Sequence, residues 1–208
     1  MYILGLTGSI GMGKSWAGRC FRTARVPVHD ADAAVHALLS PGGAAVRLID
    51  DAFPGVLDDA GGVDRLKLGA KVLGDDAKLT KLEGLLHPLV RADQRKFLKR
   101  CRARGVRLVV LDIPLLFETQ GRSRVDAVVV MSAPRFVQEH RVLKRAGMTR
   151  AKFDAILARQ MDDAVKRRLA DFIVATGATR GDSFRQIAAV AKTCKHRAGR
   201  VWSPTWGH

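Results

Sequence analysis

The sequence has few cysteines and few aromatic residues, and both shortages limit what the protein can be. Its 208 residues include three cysteines, and aromatic residues make up 6% of the chain. Cys20, Cys101 and Cys194 are odd in number, lie far apart in the sequence and form no C-x-x-C pair. Neither a disulfide framework nor a zinc site is therefore indicated, and we expect buried or incidental thiols.

Long apolar runs are absent as well. The longest ones, such as residues 127–131, fall far short of the roughly 18 to 20 residues that a membrane-spanning helix needs. The apolar residues 2–6 have no charged leader before them and run at once into glycine-rich polar sequence, which is unlike a secretory signal. We therefore predict a cytoplasmic protein without a membrane segment.

Acidic residues are outnumbered by basic ones. The chain has 20 Asp and Glu against 36 Lys and Arg, which gives a formal net charge of +16. This excess favours anionic partners, either nucleic acid or small polyphosphates. Part of it lies in residues 91–107, where Phe97 and Cys101 are four positions apart and predict an amphipathic helix with a solvated basic face. Because the chain has few aromatics and no RNA-binding signature, nucleic acid is the weaker expectation.

Hydrophobic residues make up 47% of the chain, enough for one fairly large domain, which we place at residues 1–194. Short runs rich in Val, Ile and Leu recur between longer stretches of helical periodicity. These runs lack a polar–apolar alternation, which is typical of strands covered on both faces in a parallel sheet. We predict an α/β fold with about five parallel strands, near residues 2–7, 26–30, 107–112, 125–131 and 171–175.

Two segments are too long and too helical to be simple connections between strands. Residues 31–104 predict a helical lobe, in which His87-Pro88 marks a helix start. Residues 134–168 predict a second helical segment with a break at Gly147. The tail, residues 195–208, has no periodicity, and we expect it to be loosely ordered or packed on the surface.

Residues 8–15, GSIGMGKS, match the phosphate-loop pattern G-x-x-x-x-G-K-[ST]. Glycines let the backbone turn tightly so that N–H groups face phosphate oxygens, and the following helix adds its positive N-terminal end. We expect Lys14 to neutralise the β- and γ-phosphates and Ser15 to place its hydroxyl on Mg²⁺. The pattern follows a predicted strand and opens a predicted helix, which is the context that it requires. The predicted ATP contacts are Gly8, Gly11, Met12, Gly13, Lys14, Ser15 and Trp16.

The loop alone does not specify the reaction, because GTPases, ATPase motors and small-molecule kinases share it. The chain is too small for the extra machinery of a motor, and no obvious guanine-reading segment follows the loop. These two observations favour an ATP-dependent kinase.

Several carboxylates have both a functional and a structural interpretation. Asp30 and Asp32 follow the second predicted strand, where they suit a general base or help to hold Mg²⁺, but also suit a helix cap. Asp112 ends the third predicted strand, where it suits the outer partner of nucleotide-bound Mg²⁺ or a turn before Pro114. The residues alone leave these alternatives open.

Three basic residues are equally ambiguous by themselves. Arg141 and Arg145 are four positions apart, or one helical turn, and form either a solvated lid face or a clamp for phosphate. Arginine is well suited to stabilising charge on a transferring phosphoryl group. A lone histidine in the helical lobe, such as His87, is more often structural than functional.

These elements together resemble the dephospho-coenzyme A kinase family. The DAD, HP and PLLFE elements, in this order, are much more specific than the phosphate loop. The resemblance covers nearly everything before the tail, through residues 6–15, 30–32, 86–89, 111–118, 138–145, 158–161 and 170–174.

The resemblance implies a three-layer P-loop kinase with a central parallel sheet, a helical acceptor-binding lobe and a mobile helical lid. Such enzymes transfer the γ-phosphoryl group of ATP to the ribose 3′-hydroxyl of dephospho-coenzyme A, the last step of coenzyme A synthesis. The implied partners are ATP and dephospho-coenzyme A, with Mg²⁺ as cofactor. A nucleoside or nucleotide monophosphate kinase is the main alternative, and a basic nucleic-acid-binding NTPase module is the weaker one. The sequence leaves the oligomeric state open.

The resemblance also assigns roles by position. They comprise a base that takes the proton of the acceptor, cations that act on the phosphoryl group, and ligands of the metal. The residues are Asp32, Lys14 and Arg141 for catalysis, Arg141 and Arg145 for ATP, Asp32 and His87 for the acceptor, and Ser15 and Asp112 for the metal.

Three positions depart from the pattern of the family. Trp16 stands where Thr is usual and places a bulky ring by the nucleotide. His29 replaces a more usual aliphatic residue before the DAD element. Thr176 stands where Asn is common after the last strand, so the expected adenine contacts differ there.

Overall fold

A computed structural model describes residues 1–203, 205 and 206 and shows the apolar runs as one parallel sheet. Its strands are β1 (Tyr2–Thr7), β2 (Val28–Asp30), β3 (Leu108–Asp112), β4 (Ala127–Ser132) and β5 (Phe172–Ala175), in the order β2-β3-β1-β4-β5 across the sheet. Because β1, β3 and β4 are buried along their whole length, the sequence shows uninterrupted apolar runs there instead of alternation. The predicted α/β fold with five parallel strands is confirmed.

The chain divides into two compact units, which are described separately. The first contains residues 1–30 and 98–206, and the second contains residues 31–97. None of the helices in the described part of the chain is both long enough and apolar enough to cross a membrane. The helices are α1 (Lys14–Thr23), α2 (Ala31–Leu39), α3 (Val46–Ala52), α4 (Arg65–Val72), α5 (Asp76–Ala103), α6 (Arg135–Leu143), α7 (Arg150–Ala158), α8 (Asp163–Leu169) and α9 (Arg180–Lys195).

The core of the first unit joins the sheet to α1 and α9. Phe21 of α1 and Ile187 of α9 are fully buried in the same cluster as Leu4, Val110 and Val129 of the sheet. Burial of one such side chain contributes about 1.5–3 kcal/mol relative to leaving it in water. This packing fixes α1, and with it the loop that precedes α1, against the sheet.

The carboxyl ends of three strands meet at one edge of the sheet. Leu6 of β1 and Asp30 of β2 both pair in register with Asp112 of β3. In open parallel sheets, ligands bind outside the carboxyl ends of the strands. The register therefore brings the end of β1, where the phosphate loop starts, beside the carboxylates that end β2 and β3.

The second unit is helical and has its own core. Ile49, Phe53, Val56, Leu68 and Leu82 are buried together, and Leu86 and Leu89 pack against them. This core comes from α2, α3, α4, α5 and the turns before and after α3, which agrees with the helical patterns of the sequence.

Helix α5 differs from the prediction at its start. His87 and Pro88 lie inside the helix, which runs without interruption from Asp76 to Ala103. Proline in a helix interior removes one backbone hydrogen bond and usually costs about 3 kcal/mol, yet Leu86 and Leu89 on either side pack against the core. Packing outweighs the local preference, so the predicted helix start at His87-Pro88 is wrong.

The described part of the tail packs on the surface of the first unit, which was one of the two expectations. The Trp206 ring is 4% exposed, and its indole N–H donates to Arg124 O at 2.9 Å. The N–H groups of Arg200 and Val201 donate to Asp126 Oδ1. Pro204, Gly207 and His208, which belong to the predicted tail, lie outside the described residues.

All three cysteines are free and buried. Burial raises the pKa of the Cys20 and Cys101 thiols, and it raises the pKa of Cys194 to about 11. A thiol with a raised pKa supplies little thiolate, which is the reactive form. The expected buried thiols are confirmed.

We expect that none of the three cysteines of the folded protein reacts rapidly with Ellman's reagent at neutral pH, because each thiol is buried and protonated. Unfolding in guanidinium chloride should expose all three. Counting released thionitrobenzoate with and without denaturant tests this. Rapid reaction of one thiol while the circular dichroism stays native would contradict its buried position.

Candidate functional site

The phosphate loop connects β1 to α1 and depends on two glycines in the left-handed region. Gly11 has φ 78° and Gly13 has φ 90°, a conformation that other residues rarely adopt. Gly13 is also the N-cap residue of α1, so the helix begins directly at the loop with its N–H groups and its positive dipole end. The geometry is that of an anion-binding loop.

Lys14 and Asp112 form a shielded ion pair beside this loop. Lys14 Nζ lies 2.9 Å from Asp112 Oδ1, and the two side chains are 14% and 3% exposed. Asp112 Oδ2 faces α1, since a Cβ atom added to Gly18 would lie 3.4 Å from it. The predicted loop cation and the predicted metal ligand at the end of β3 are therefore in direct contact.

Asp30 ends β2 in the first unit. Its Oδ2 lies 3.8 Å from an Arg22 guanidinium nitrogen of α1, and both side chains are partly exposed. Asp32 and His87 belong to the second unit, where Asp32 lies in the first turn of α2 and His87 lies half-buried in α5.

Arg141 of α6 reaches the loop, whereas Arg145 lies beyond the end of the helix. The Arg141 guanidinium donates to Gly11 O at 3.4 Å, to Thr176 Oγ1 at 3.0 Å and to Thr176 O. Helix α6 ends at Leu143 and Arg145 is exposed. The two arginines thus do not form the expected one-turn pair on a single helix.

Ser15 and Trp16 occupy the first turn of α1. Ser15 is exposed, while Trp16 is half-buried. The guanidinium carbons of Arg19 and Arg180 lie 5.7 and 5.2 Å from the Trp16 ring centroid, within cation–π range. The bulky ring that departs from the family pattern is therefore held between α1 and the start of α9.

Sequence reasoning missed three side chains that bind the loop. Gln138 Nε2 donates to Ile10 O at 2.7 Å, Gln160 Oε1 accepts from Ile10 N–H at 3.0 Å, and the Thr176 hydroxyl donates to Met12 O at 2.9 Å. These partners are 128, 150 and 164 positions apart in the chain, so no local pattern marks them. The available signal was that all three lie inside or next to segments that carry the family resemblance.

A cavity of about 680 Å³ opens beside the loop, within the first unit. Ser9 and Met12 of the loop, Gln138 of α6 and Gln160 line it, together with the end of β4. Cavities of about 300–1,000 Å³ suit small-molecule ligands. Its position at the carboxyl end of the sheet agrees with a ligand-binding edge.

The donors beside Lys14 fit Mg²⁺. No cluster of three or more His, Cys, Asp or Glu side chains that could hold a metal occurs among residues 1–203, 205 and 206. Nucleotide-bound Mg²⁺ needs no such cluster, because phosphate oxygens and water supply most of its ligands and the protein adds one or two oxygens. The Asp112 carboxylate and the Ser15 hydroxyl are oxygen donors of this kind.

Comparison with known proteins agrees with the site. Residues 2–180 match the dephospho-CoA kinase family. Over 167 residues the chain is 63% identical to a dephospho-CoA kinase from Paramagnetospirillum magneticum, across 80% of this chain and 78% of the relative.

Solved structures support the same fold. The protein TT1252 from Thermus thermophilus has a TM-score of 0.80 at 30% identity, across 95% of this chain and 98% of its own. A dephospho-CoA kinase from Campylobacter jejuni has a TM-score of 0.62 at 22% identity, across 92% and 96% of the two chains. The family match covers most of the sequence and confirms the resemblance drawn from the motifs, so the chain belongs to the dephospho-CoA kinase family.

Proposed function

We propose that this protein transfers the γ-phosphoryl group of ATP to the ribose 3′-hydroxyl of dephospho-coenzyme A, which completes the synthesis of coenzyme A. The observation that carries the proposal is the phosphate loop, whose lysine lies 2.9 Å from the carboxylate at the end of β3, in a chain of this family. The reaction forms a bond from the 3′-oxygen to the γ-phosphorus and breaks the bond from that phosphorus to the β,γ-bridging oxygen. ADP is the leaving group.

Lys14 is the loop residue that acts on the developing charge. Its ammonium group is paired with Asp112. Bound β- and γ-phosphates offer it a second anionic partner, and the pair with Asp112 holds it beside the loop. Arg141, Arg145 and Trp16 are further proposed ATP contacts, of which Arg141 already touches the loop through Gly11 O.

Ser15 and Asp112 are the proposed protein ligands of Mg²⁺. When bound, this ion neutralises charge on the phosphate oxygens and orients them. Asp112 can serve both the ion and Lys14, because a carboxylate has two oxygens and Lys14 Nζ lies 2.9 Å from Oδ1.

The acceptor side of the reaction is assigned to the second unit. We propose that the Asp32 carboxylate takes the proton of the attacking 3′-hydroxyl and that His87 contacts the acceptor. The support is their position in the DAD and HP elements of a chain that belongs to the family.

The test is release of ADP with a panel of acceptors, namely dephospho-coenzyme A, adenosine, AMP, CMP and a short oligonucleotide. Of these acceptors, we expect only dephospho-coenzyme A to give rapid, Mg²⁺-dependent release of ADP. Mass spectrometry should find one added phosphate on its ribose. Activity confined to AMP or CMP would assign the chain to nucleotide kinases. ADP release stimulated by the oligonucleotide and lost steeply as salt rises would favour a nucleic-acid-dependent NTPase.

A further inference from the structure

The backbone of the phosphate loop is held from outside by side chains of the segment that follows β4. Ile10 has both of its peptide groups bound by glutamines: Gln138 Nε2 donates to its carbonyl at 2.7 Å, and Gln160 Oε1 accepts from its N–H at 3.0 Å. The amide NH₂ group of Gln138 faces the carbonyl, which needs a donor, and the amide oxygen of Gln160 faces the N–H, which needs an acceptor.

The next two carbonyls of the loop are held in the same way. Arg141 donates to Gly11 O, and the Thr176 hydroxyl donates to Met12 O at 2.9 Å. Three consecutive carbonyls, from residues 10 to 12, are thus bound by side chains of α6 and of the turn after β5.

Binding of these carbonyls determines where the loop N–H groups point. In a planar trans peptide, the carbonyl of one residue and the N–H of the next point in opposite directions. Holding Ile10 O therefore turns the Gly11 N–H to the other side of the loop, and holding Met12 O does the same for the Gly13 N–H. An anion-binding loop needs its N–H groups turned to one side in this manner.

The glutamines are themselves fixed in position. Gln138 is 2% exposed, and α6 approaches the loop so closely that a Cβ atom on Gly11 would lie 2.6 Å from Val142 Cγ2. Next to Gln160, the Met161 N–H donates to Glu118 Oε1 at 2.9 Å, and the fully buried Lys166 ammonium lies 2.9 Å from the same oxygen. This anchoring assigns a structural role to Glu118 of the PLLFE element and to the ARQM element, residues 158–161. Neither element is assigned a step of the transfer.

We propose that Gln138 and Gln160 are positioning residues that hold Ile10, and through it the phosphate loop, in the shape that binds nucleotide. Both contact the loop backbone at Ile10, and neither is assigned a step of the transfer. The inference rests on the proposed function only in that nucleotide binds at this loop.

Glutamate substitutions distinguish the two bonds, because an ionised glutamate accepts hydrogen bonds and cannot donate them. Gln160→Glu keeps the acceptor that Ile10 N–H requires. Gln138→Glu removes the N–H donor that Ile10 O requires and places a carboxylate oxygen, itself an acceptor, against that carbonyl oxygen. Both variants add one negative charge beside the same residue, so their difference reports the direction of the hydrogen bond.

The measurement is calorimetric titration with ADP, without any acceptor. We expect Gln138→Glu to raise the Kd for ADP at least about tenfold above that of Gln160→Glu, as loss of one buried hydrogen bond and burial of an unmatched acceptor imply. Gln138→Met and Gln160→Met, which lack both groups, should each raise the Kd by about three- to tenfold, and they cover the case in which Gln138→Glu does not fold. In ATP turnover the Met variants should change KM more than kcat.

Gln94→Met is the matched control, because Gln94 is also 2% exposed but lies in α5, where its Oε1 has no hydrogen-bond partner among the described residues. It should leave the Kd for ADP unchanged. Equal Kd values for the two glutamate variants, or Kd values within twofold of wild type for both Met variants despite a lower Tm, would overturn the inference. The variants could change the Kd for ADP as expected while the wild-type protein does not phosphorylate dephospho-coenzyme A. In that case the proposed function fails and the positioning role stands.

Discussion

Replacing Lys14 with alanine is expected to lower the turnover of ATP with dephospho-coenzyme A by roughly 10²–10³-fold, the range found when one positioned donor to developing charge is removed. Lys14 is the cation nearest to the phosphates in this class of loop. Its place in the structure supports the size of the effect, because its side chain is 14% exposed and anchored to Asp112. Little water is available there to replace the lost charge.

The same substitution also affects folding, and the two effects must be separated. Removing one partner of a buried ion pair destabilises proteins by up to about 3–5 kcal/mol, and Asp112 is 3% exposed. Rates should therefore be measured well below the Tm of the variant, with its folded fraction known from circular dichroism. Lys192→Ala, at an exposed position of α9, removes the same charge and should leave turnover unchanged. Near-normal turnover by folded Lys14→Ala would show that the phosphate loop takes no part in the reaction.

The sheet could be predicted because β1, β3 and β4, its three central strands, are buried along their whole length. β1 and β4 show this as continuous apolar runs, and the observed β1 spans the predicted residues 2–7. β2 is shorter than predicted, since it begins at Val28 and not at residue 26. Pro27 explains the difference: its carbonyl accepts from Val110 N–H at 2.9 Å, but proline has no N–H with which to continue the ladder.

The site was predictable only where its chemistry is local in sequence. Eight consecutive residues encode the phosphate loop, so the pattern marks it directly. The ion pair of Lys14 with Asp112 spans 98 positions, and the sequence predicted only that Asp112 ends a strand, where it suits a metal partner or a turn. The bonds of Gln138 and Gln160 to Ile10 depend on how α6 and the residues after α7 lie against the loop, which the periodicity of the sequence does not indicate.

Two local preferences of the sequence are not realised in the structure. The sequence His87-Pro88 favours a helix start, but the helix core of the second unit holds α5 continuous through it. The Arg141 and Arg145 spacing favours one helical face, but α6 ends at Leu143 before Arg145 is reached. In the first case the packing of Leu86 and Leu89 outweighs the local preference, and in the second the helix ends before the break that was predicted at Gly147.

Asp32→Asn is expected to reduce turnover with dephospho-coenzyme A about 10²-fold or more, which is the usual effect of losing a general base. The attacking hydroxyl must lose its proton and be held in line with the leaving oxygen, and asparagine keeps the shape of aspartate without its charge or basicity. Asp32 lies in the first turn of α2. The Kd for ATP, measured by titration, and the Tm should stay near those of wild type.

Asp30→Asn is the matched control for this experiment, because it makes the same chemical change two positions away. Asp30 ends β2 and lies 3.8 Å from a nitrogen of Arg22, where it is partly exposed. Exposed pairs of this kind contribute at most about 1 kcal/mol, so the variant should fold normally and keep most of its turnover. Full activity of Asp32→Asn together with loss of activity in Asp30→Asn would move the base to Asp30. If both variants turn over like wild type, neither carboxylate takes the proton, and the DAD element serves only the start of α2.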